Sequence, residues 1–305
     1  MMNDFALGID IGGSHLTIAI VDINNKNIVK DSKMHITVDS QQDALTILST
    51  MVEGMKICLK NHNQTIRGIG VSIPGPLDYE KGISKIFNCN KYDKLFGVDI
   101  KTYIYNHLKE FINSPDKIVF VNDANCFLLG EAWRNSLTGS NVTAITLGTG
   151  IGSGFMTGGA IVNKANNVPA NGEIYNLPFK GKRSEDWLGT NWFLETYKHE
   201  IGHSAANVKV IADKAQTSNK VKQIFEDFGS NLGKFLAPLL QDFKTDYLVI
   251  GGNIARSYNL FRDNFQNSLN GTIPKVVIST DTEDSAILGA VQKMISNCKT
   301  QLRNK

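Results

Sequence analysis

The chain has 305 residues, 42% of them hydrophobic and 20% charged, with a net charge of +3. That length suggests about two domains with a sizeable core, and a charge so weak and well mixed makes no case for a nucleic-acid or membrane surface. Cys58, Cys89, Cys126 and Cys298 lie far apart and form no C-x-x-C pair, so neither a disulfide framework nor a cysteine-built zinc site is expected. Cys89 and Cys126 read as packed thiols. No basic stretch leads into a long apolar run at the start, and no apolar stretch reaches the length of a membrane span. A reducing cytoplasm is the expected compartment.

In chain order, Phe5 to Ile11 reads as a buried strand and Gly12-Gly13 as a turn. Leu16 to Asp22 is a second strand, and Ile23-Asn24-Asn25-Lys26 a hairpin connection to a third over Ile28 to Thr37. Between Gln41 and His62, Ala44, Leu45, Leu48, Met51, Val52, Met55 and Leu59 recur at helical spacing. Ile66 to Ile73 is another buried strand, stopped by Pro74-Gly75-Pro76. Val98 to Phe111 reads as helix, Ile118 to Asn122 as a short strand and Ala124 to Trp133 as helix. A second unit then opens on the same plan: strand Asn141 to Leu147, a glycine turn from Gly148 to Gly154, and a strand from Phe155. Lys220 to Leu240 is a long amphipathic helix, Asp246 to Ile250 a strand running into Gly251-Gly252-Asn253, and Ser285 to Ser296 a closing helix. The expected boundaries are a smaller domain over 1–122 and a larger one over 123–288, with a closing helix at about 289–305 that packs back on the first.

Five segments carry possible chemistry. In Asp10-Ile11-Gly12-Gly13-Ser14 an acid ends a buried strand and two glycines follow. Glycines let backbone N–H groups face a phosphate, and the acid is placed to hold magnesium through water. An ordinary hairpin turn has the same look, and the spacing is not that of a dinucleotide fingerprint. Leu147 to Gly154, with four glycines in seven positions and a hydroxyl at Thr149, is the fuller phosphate cradle. In Val119 to Ala124, the Asn122-Asp123 pair sits where a strand meets a helix. Asp123 there reads either as an N-cap or as the base that phosphoryl transfer needs at a strand's carboxyl edge. Glu173 in Gly172-Glu173-Ile174-Tyr175-Asn176 carries weight only in company. Val249 to Asn253 is either a simple turn or a place where a flat ring lies against backbone.

The ordered set D-I-G-G, P-G-P, N-D-A, L-G-T-G-I-G-S-G, G-E-I and I-G-G-N, from Asp10 to about Gly289, resembles the ROK family (repressor, open reading frame, kinase). That family belongs to the actin-like ATPase superfamily, with hexokinase and acetate kinase. The resemblance implies a two-domain α/β, ribonuclease H-like fold with a cleft between the domains. It implies phosphorylation of a hexose by ATP with magnesium, glucose at its 6-hydroxyl foremost, with an N-acylated hexosamine or another hexose as the alternative. It assigns ATP phosphates to the turns holding Asp10, Gly12, Gly13 and Ser14, and Gly148, Thr149, Gly150 and Gly152. Gly251 and Gly252 fall on the adenosine side. Asp123 matches the catalytic base. Gly75, Asn90, Asn122, Glu173, Asn176 and one further Glu fall on the sugar side, with Glu185 the better match for that Glu and Glu195 its rival.

The chain departs from the family pattern at two places. Where many members have G-E-[IL]-G-H, this chain has Tyr175 and Asn176, and the motif C-x-C-G-x-x-G-C is absent. Asn176 to Arg183 holds neither Cys nor His, so no zinc is expected. Ser14-His15 also stands where Thr-Lys is common. His199 and His203 flank Glu200-Ile201-Gly202, which is not H-E-x-x-H, and read as a solvated helix face. Regulators in the family carry an N-terminal winged helix, for which a first strand at Phe5 leaves no room. A binding protein without turnover is disfavoured by the intact Asp123 and glycine loops, and a homodimer is the expected assembly.

Overall fold

The computed structural model describes residues 4–63, 65–89, 91–271 and 273–303. It divides into two units, Met1–Ser136 with Glu283–Lys305, and Leu137–Thr282. The first opens with β1 (Phe5–Ile11) and β2 (His15–Asp22), antiparallel, with Ile11 opposite Leu16. β2 pairs on its other side with both β3 (Asn27–Ile28) and β4 (Met34–Thr37). The expected single strand over 28–37 is therefore broken in two. Its middle turns away at Asp31, where φ is 62°. The buried Ser32 hydroxyl there donates to the Val29 carbonyl at 2.8 Å and accepts from the Ile20 N–H at 3.1 Å.

Next comes α1 (Ala44–His62), which starts late because Asp43 caps it, accepting from the Thr46 N–H at 3.0 Å. β5 (Ile66–Ile73) runs parallel to β1, and the short hairpin of β6 (Leu77–Asp78) and β7 (Ile83–Ser84) follows. After α2 (Ile100–His107), β8 (Ile118–Asn122) joins parallel to β5, giving the order β3-β2-β1-β5-β8 with β4 also on β2. α3 (Asp123–Arg134) leaves directly from the end of β8. β1, β5 and β8 are parallel and in register near their ends, with Asp10 opposite Ser72 and Ile73 opposite Asn122. Their carboxyl ends thus collect polar side chains at one edge, where open α/β sheets place ligand chemistry.

The second unit repeats the plan with β9 (Val142–Leu147) and β10 (Ile151–Thr157), antiparallel, followed by β11 (Ala160–Ile161). The glycine turn is shorter than expected. Only residues 148–150 turn, and Gly152 already lies in β10 opposite Thr146. A hairpin of β12 (Pro178–Phe179) and β13 (Lys182–Arg183) stands where the family's cysteine motif is missing. Its two-residue loop has positive φ at both Lys180 (47°) and Gly181 (77°), the tight hairpin geometry that matches strand twist. Phe179 meets Trp187 and Phe235 edge-on, and the Lys180 ammonium donates to Asn231 Oδ1 at 2.5 Å.

Helices α4 (Glu185–Leu188), α5 (Thr190–Ile201), α6 (Val208–Ala215) and α7 (Asn219–Phe243) lead to β14 (Tyr247–Gly251), then α8 (Arg262–Asn267) and β15 (Lys275–Ile278). The sheet order is β11-β10-β9-β14-β15. Phe193, Phe225, Phe228 and Phe261 interlock in the core of this unit. α9 (Thr282–Arg303) closes the chain. A β-carbon on Gly130 would lie 1.8 Å from the Ser285 carbonyl oxygen, and one on Gly289 would lie 1.8 Å from that of Cys126. α3 and α9 thus touch backbone to backbone, which only glycine permits. That contact keeps α3 in the first unit, so the division falls after this helix rather than at Asn122. No helix among the described residues is long and apolar enough to cross a membrane.

Candidate active site

Asp123 is the first helical residue of α3, and the cap is its neighbour. Asn122 Oδ1 accepts from the N–H groups of Ala124 at 3.1 Å and Asn125 at 3.4 Å. Asn122 is thus the cap, and Asp123 Oδ1 shares one of its donors, accepting from the Ala124 N–H at 2.9 Å. The Asp123 residue remains exposed while protein crowds its carboxylate. That crowding raises its pKa above the ordinary Asp value, and the helix N–H groups and the Lys91 ammonium pull it part of the way back. A carboxylate that is both reachable and raised in pKa is a stronger proton acceptor than an ordinary Asp.

Asp10 lies at the same sheet edge, half-buried. It accepts a 2.6 Å hydrogen bond from Ser72 Oγ. Burial pushes its pKa up to about 6 against that hydrogen bond, with the nearby Asp123 and Glu283 carboxylates adding to the rise. Excess negative charge of this kind would be relieved by a cation, so the residues present fit a magnesium ion held through water at Asp10. Among the described residues no three or more His, Cys, Asp or Glu side chains gather as a direct metal cage.

The turn after β1 is closed by the Gly12 N–H donating to the His15 carbonyl at 2.9 Å, and Ser14 is exposed beside it. The Gly12 amide is thus already satisfied, and what the glycines offer is a backbone without side chains. Tyr92, fully buried, braces this turn by donating to the Gly12 carbonyl at 2.7 Å. On the expected sugar side, Gly75 is exposed, and Tyr79 Oη sits 2.9 Å from where its β-carbon would be. Asn122 Nδ2 donates to the same Tyr79 hydroxyl at 3.4 Å. Asn90 lies outside the described residues.

In the second unit the expected residues come together around the β9–β10 turn. The Gly148 N–H donates to the Gly150 carbonyl at 3.0 Å, and Thr190 holds the Gly148 carbonyl through its N–H at 2.9 Å and its hydroxyl at 2.8 Å. A β-carbon on Gly148 would meet nothing within 4 Å, so its α-carbon faces open space beside Thr149. One on Gly150 would lie 2.6 Å from Glu185 Oε2. Glu185 therefore leans on the glycine turn, with its other oxygen 2.9 Å from Arg183 Nη1. The Gly172 carbonyl accepts from Ser153 Oγ at 2.6 Å, and the Tyr175 carbonyl accepts from the Glu185 N–H at 3.1 Å. These bonds tie the segment bearing Glu173 and Asn176, both exposed, to β10 and α4. Glu195 is exposed on α5.

Gly251 ends β14, and Gly252 has a structural reason of its own. Its φ is 88°, and a β-carbon there would come within 2.3 Å of the Leu147 carbonyl oxygen. Ser72, Tyr79 and Tyr92 join the site through the fold and carry no motif in the sequence. Ser72 lies inside an apolar strand, where an isolated serine two residues before Pro74 was the available signal.

Two β-sheets, each opening with a glycine-turn hairpin and continuing in parallel strands, with a carboxylate pair at the edge of the first, define a phosphotransfer-type α/β protein. The ROK family model matches residues 6–176, and the chain belongs to the ROK family. It is 26% identical over 317 residues to a glucokinase of Thermotoga maritima, covering 93% of this chain and 95% of that protein. It is 24% identical to an N-acetyl-D-glucosamine kinase of Yersinia pseudotuberculosis, covering 84% of this chain and 86% of that one. The structure of a ROK family glucokinase from Streptomyces griseus, in complex with glucose and AMPPNP, matches with a TM-score of 0.72 at 18% identity, over 94% of this chain and 97% of that one.

Proposed function

We propose that this chain transfers the terminal phosphoryl group of ATP to a hexose, glucose at its 6-hydroxyl, with Asp123 as the general base. The observation that carries this is the placement of Asp123. It stands at the carboxyl edge of the first sheet, beside the Asn122 cap, and its charge acts on Asp10. In this reading the glycine turns at Asp10–Ser14 and Gly148–Gly150, with Gly152 just behind, serve the nucleotide phosphates. Gly251 and Gly252 serve the adenosine. Asp10 orients a hydrated magnesium ion, which when bound draws charge off the phosphates. Asn122, Gly75, Asn90, Glu173, Asn176 and Glu185 serve the sugar. Asp123 takes the proton of the hydroxyl as it attacks, and positioning supplies most of the rest.

A second substrate class has its own support. The similarity to an N-acetyl-D-glucosamine kinase extends over most of the chain, and Tyr175 and Asn176 replace the usual Gly and His beside Glu173. ADP release measured over a panel of hexoses and N-acylated hexosamines separates the two. Turnover on glucose well above the others supports the first, a preference for the amide sugars supports the second, and no turnover on any of them sinks the kinase reading. The same reading places the protein in the cytoplasm as a homodimer, which fractionation and sedimentation check.

A further inference from the structure

Lys91 is a cation that the reading above leaves unused. It follows the segment assigned to the sugar, yet its end lies over the phosphate turn. A β-carbon on Gly13 would stand 3.2 Å from both Cδ and Nζ of Lys91. The loop that carries it is anchored. Tyr92, the next residue, is 1% exposed, its hydroxyl donates to the Gly12 carbonyl at 2.7 Å, and its N–H donates to the Ser40 carbonyl at 3.1 Å. The Cys89 N–H donates to Asp93 Oδ1 at 2.9 Å, closing the loop on itself. The ammonium also reaches Asp123 with its field. His15, beside the same turn, is engaged with Glu283 at 3.2 Å.

We propose that Lys91 meets the terminal phosphate of ATP and stabilises the phosphoryl group in flight, a role that rests on the kinase reading. During transfer the sugar oxygen bonds to the γ-phosphorus while the bond from that phosphorus to the β–γ bridging oxygen breaks. The electron pair leaves with ADP, and the hydroxyl proton passes to Asp123. Lys91 gives up no proton. Its ammonium, within reach of both the turn and the base, offsets the negative charge on the peripheral phosphoryl oxygens. One loop would then link the sugar side to the phosphate side, so that Tyr92 positions and Lys91 contacts.

The test compares Lys91→Met and Lys91→Arg in the full chain with magnesium present, by calorimetric titration of ADP and of AMPPNP without sugar, and by turnover on the accepted sugar. Lys91→Met should weaken AMPPNP about 10-fold or more, leave ADP affinity unchanged, and lower kcat about 10- to 100-fold. Lys91→Arg should recover most of both losses. Equal weakening of the two nucleotides, or unchanged AMPPNP binding, would overturn the proposal. Wild-type protein that binds neither nucleotide overturns the kinase reading itself. Wild-type turnover alongside a Lys91→Met variant that matches it in every measurement removes Lys91 alone.

Discussion

The two glycine turns are built alike and equipped differently. Each joins an antiparallel pair, and each is closed by the N–H of a glycine, Gly12 to the His15 carbonyl at 2.9 Å and Gly148 to the Gly150 carbonyl at 3.0 Å. Around the first turn stand Asp10, Asp123 and Lys91; the Asp123 charge acts on Asp10 and the Lys91 charge on Asp123. The second turn carries no charge of its own. It is held by Thr190 and flanked by Glu185, whose charge is spent partly on the exposed Arg183. Similar backbone frames therefore suit different tasks. On the proposed reading the first moves a proton and offsets a developing charge. The second, open at Gly148 and bordered by Glu185 at Gly150, has on the proposed reading the task of receiving a phosphate.

The largest expected effect tests that division directly. Asp123→Asn removes the base without removing a cap, since Asn122 holds the helix end. Steady-state ADP release should fall about 10²- to 10⁴-fold, with AMPPNP affinity close to wild type. Retention of turnover would place the base elsewhere and erase the contrast between the turns.

A smaller effect distinguishes space used for packing from space left for a ligand. Gly252→Ala puts a methyl group against the Leu147 carbonyl at a φ that disfavours any side chain. It should cost about 1–3 kcal/mol in urea unfolding. Gly148→Ala meets no protein atom within 4 Å, so its melting temperature should match wild type while its AMPPNP affinity falls. A Gly252→Ala protein as stable as wild type would remove the packing need at Gly252, and a Gly148→Ala protein that binds AMPPNP normally would remove the ligand role of Gly148.

Most of the frame is legible in the residues, and the losses have identifiable causes. The apolar runs Phe5–Ile11, Ile66–Ile73 and Ile118–Asn122 coincide with β1, β5 and β8, because buried parallel strands need continuous hydrophobicity. The glycine turn at 148 reads too long in the sequence because glycines disguise a strand. Pairing with β9, not local preference, makes Gly152 and Gly154 extended. The break in 28–37 depends on Ser32 finding partners in β2, which no local pattern announces. At the site, two adjacent side chains can each cap a helix, and only the fold decides that Asn122 does so. The approach of Lys91 and Tyr92 to the first turn spans about 80 residues of chain, and nothing near position 91 signals it.

The smallest effect is a matter of stability, and its sign follows from the raised pKa of Asp123. In the unfolded chain this carboxyl loses its proton near the ordinary Asp value of 3.8. In the folded protein it holds the proton to higher pH. Between those two values the folded state binds more protons than the unfolded one, so the contribution of Asp123 to stability declines as pH rises and then levels off. Asn carries no such term. The difference in melting temperature between Asp123→Asn and wild type should therefore start near zero below the ordinary Asp pKa. It should grow in favour of the variant as pH rises, and flatten above the folded pKa. Asp10, whose own pKa of about 6 is raised partly by Asp123, should widen that window upward. A difference that is flat across pH, or one that favours wild type, would mean that Asp123 is ionised without cost. The first turn would then have lost the feature that sets it apart from the second.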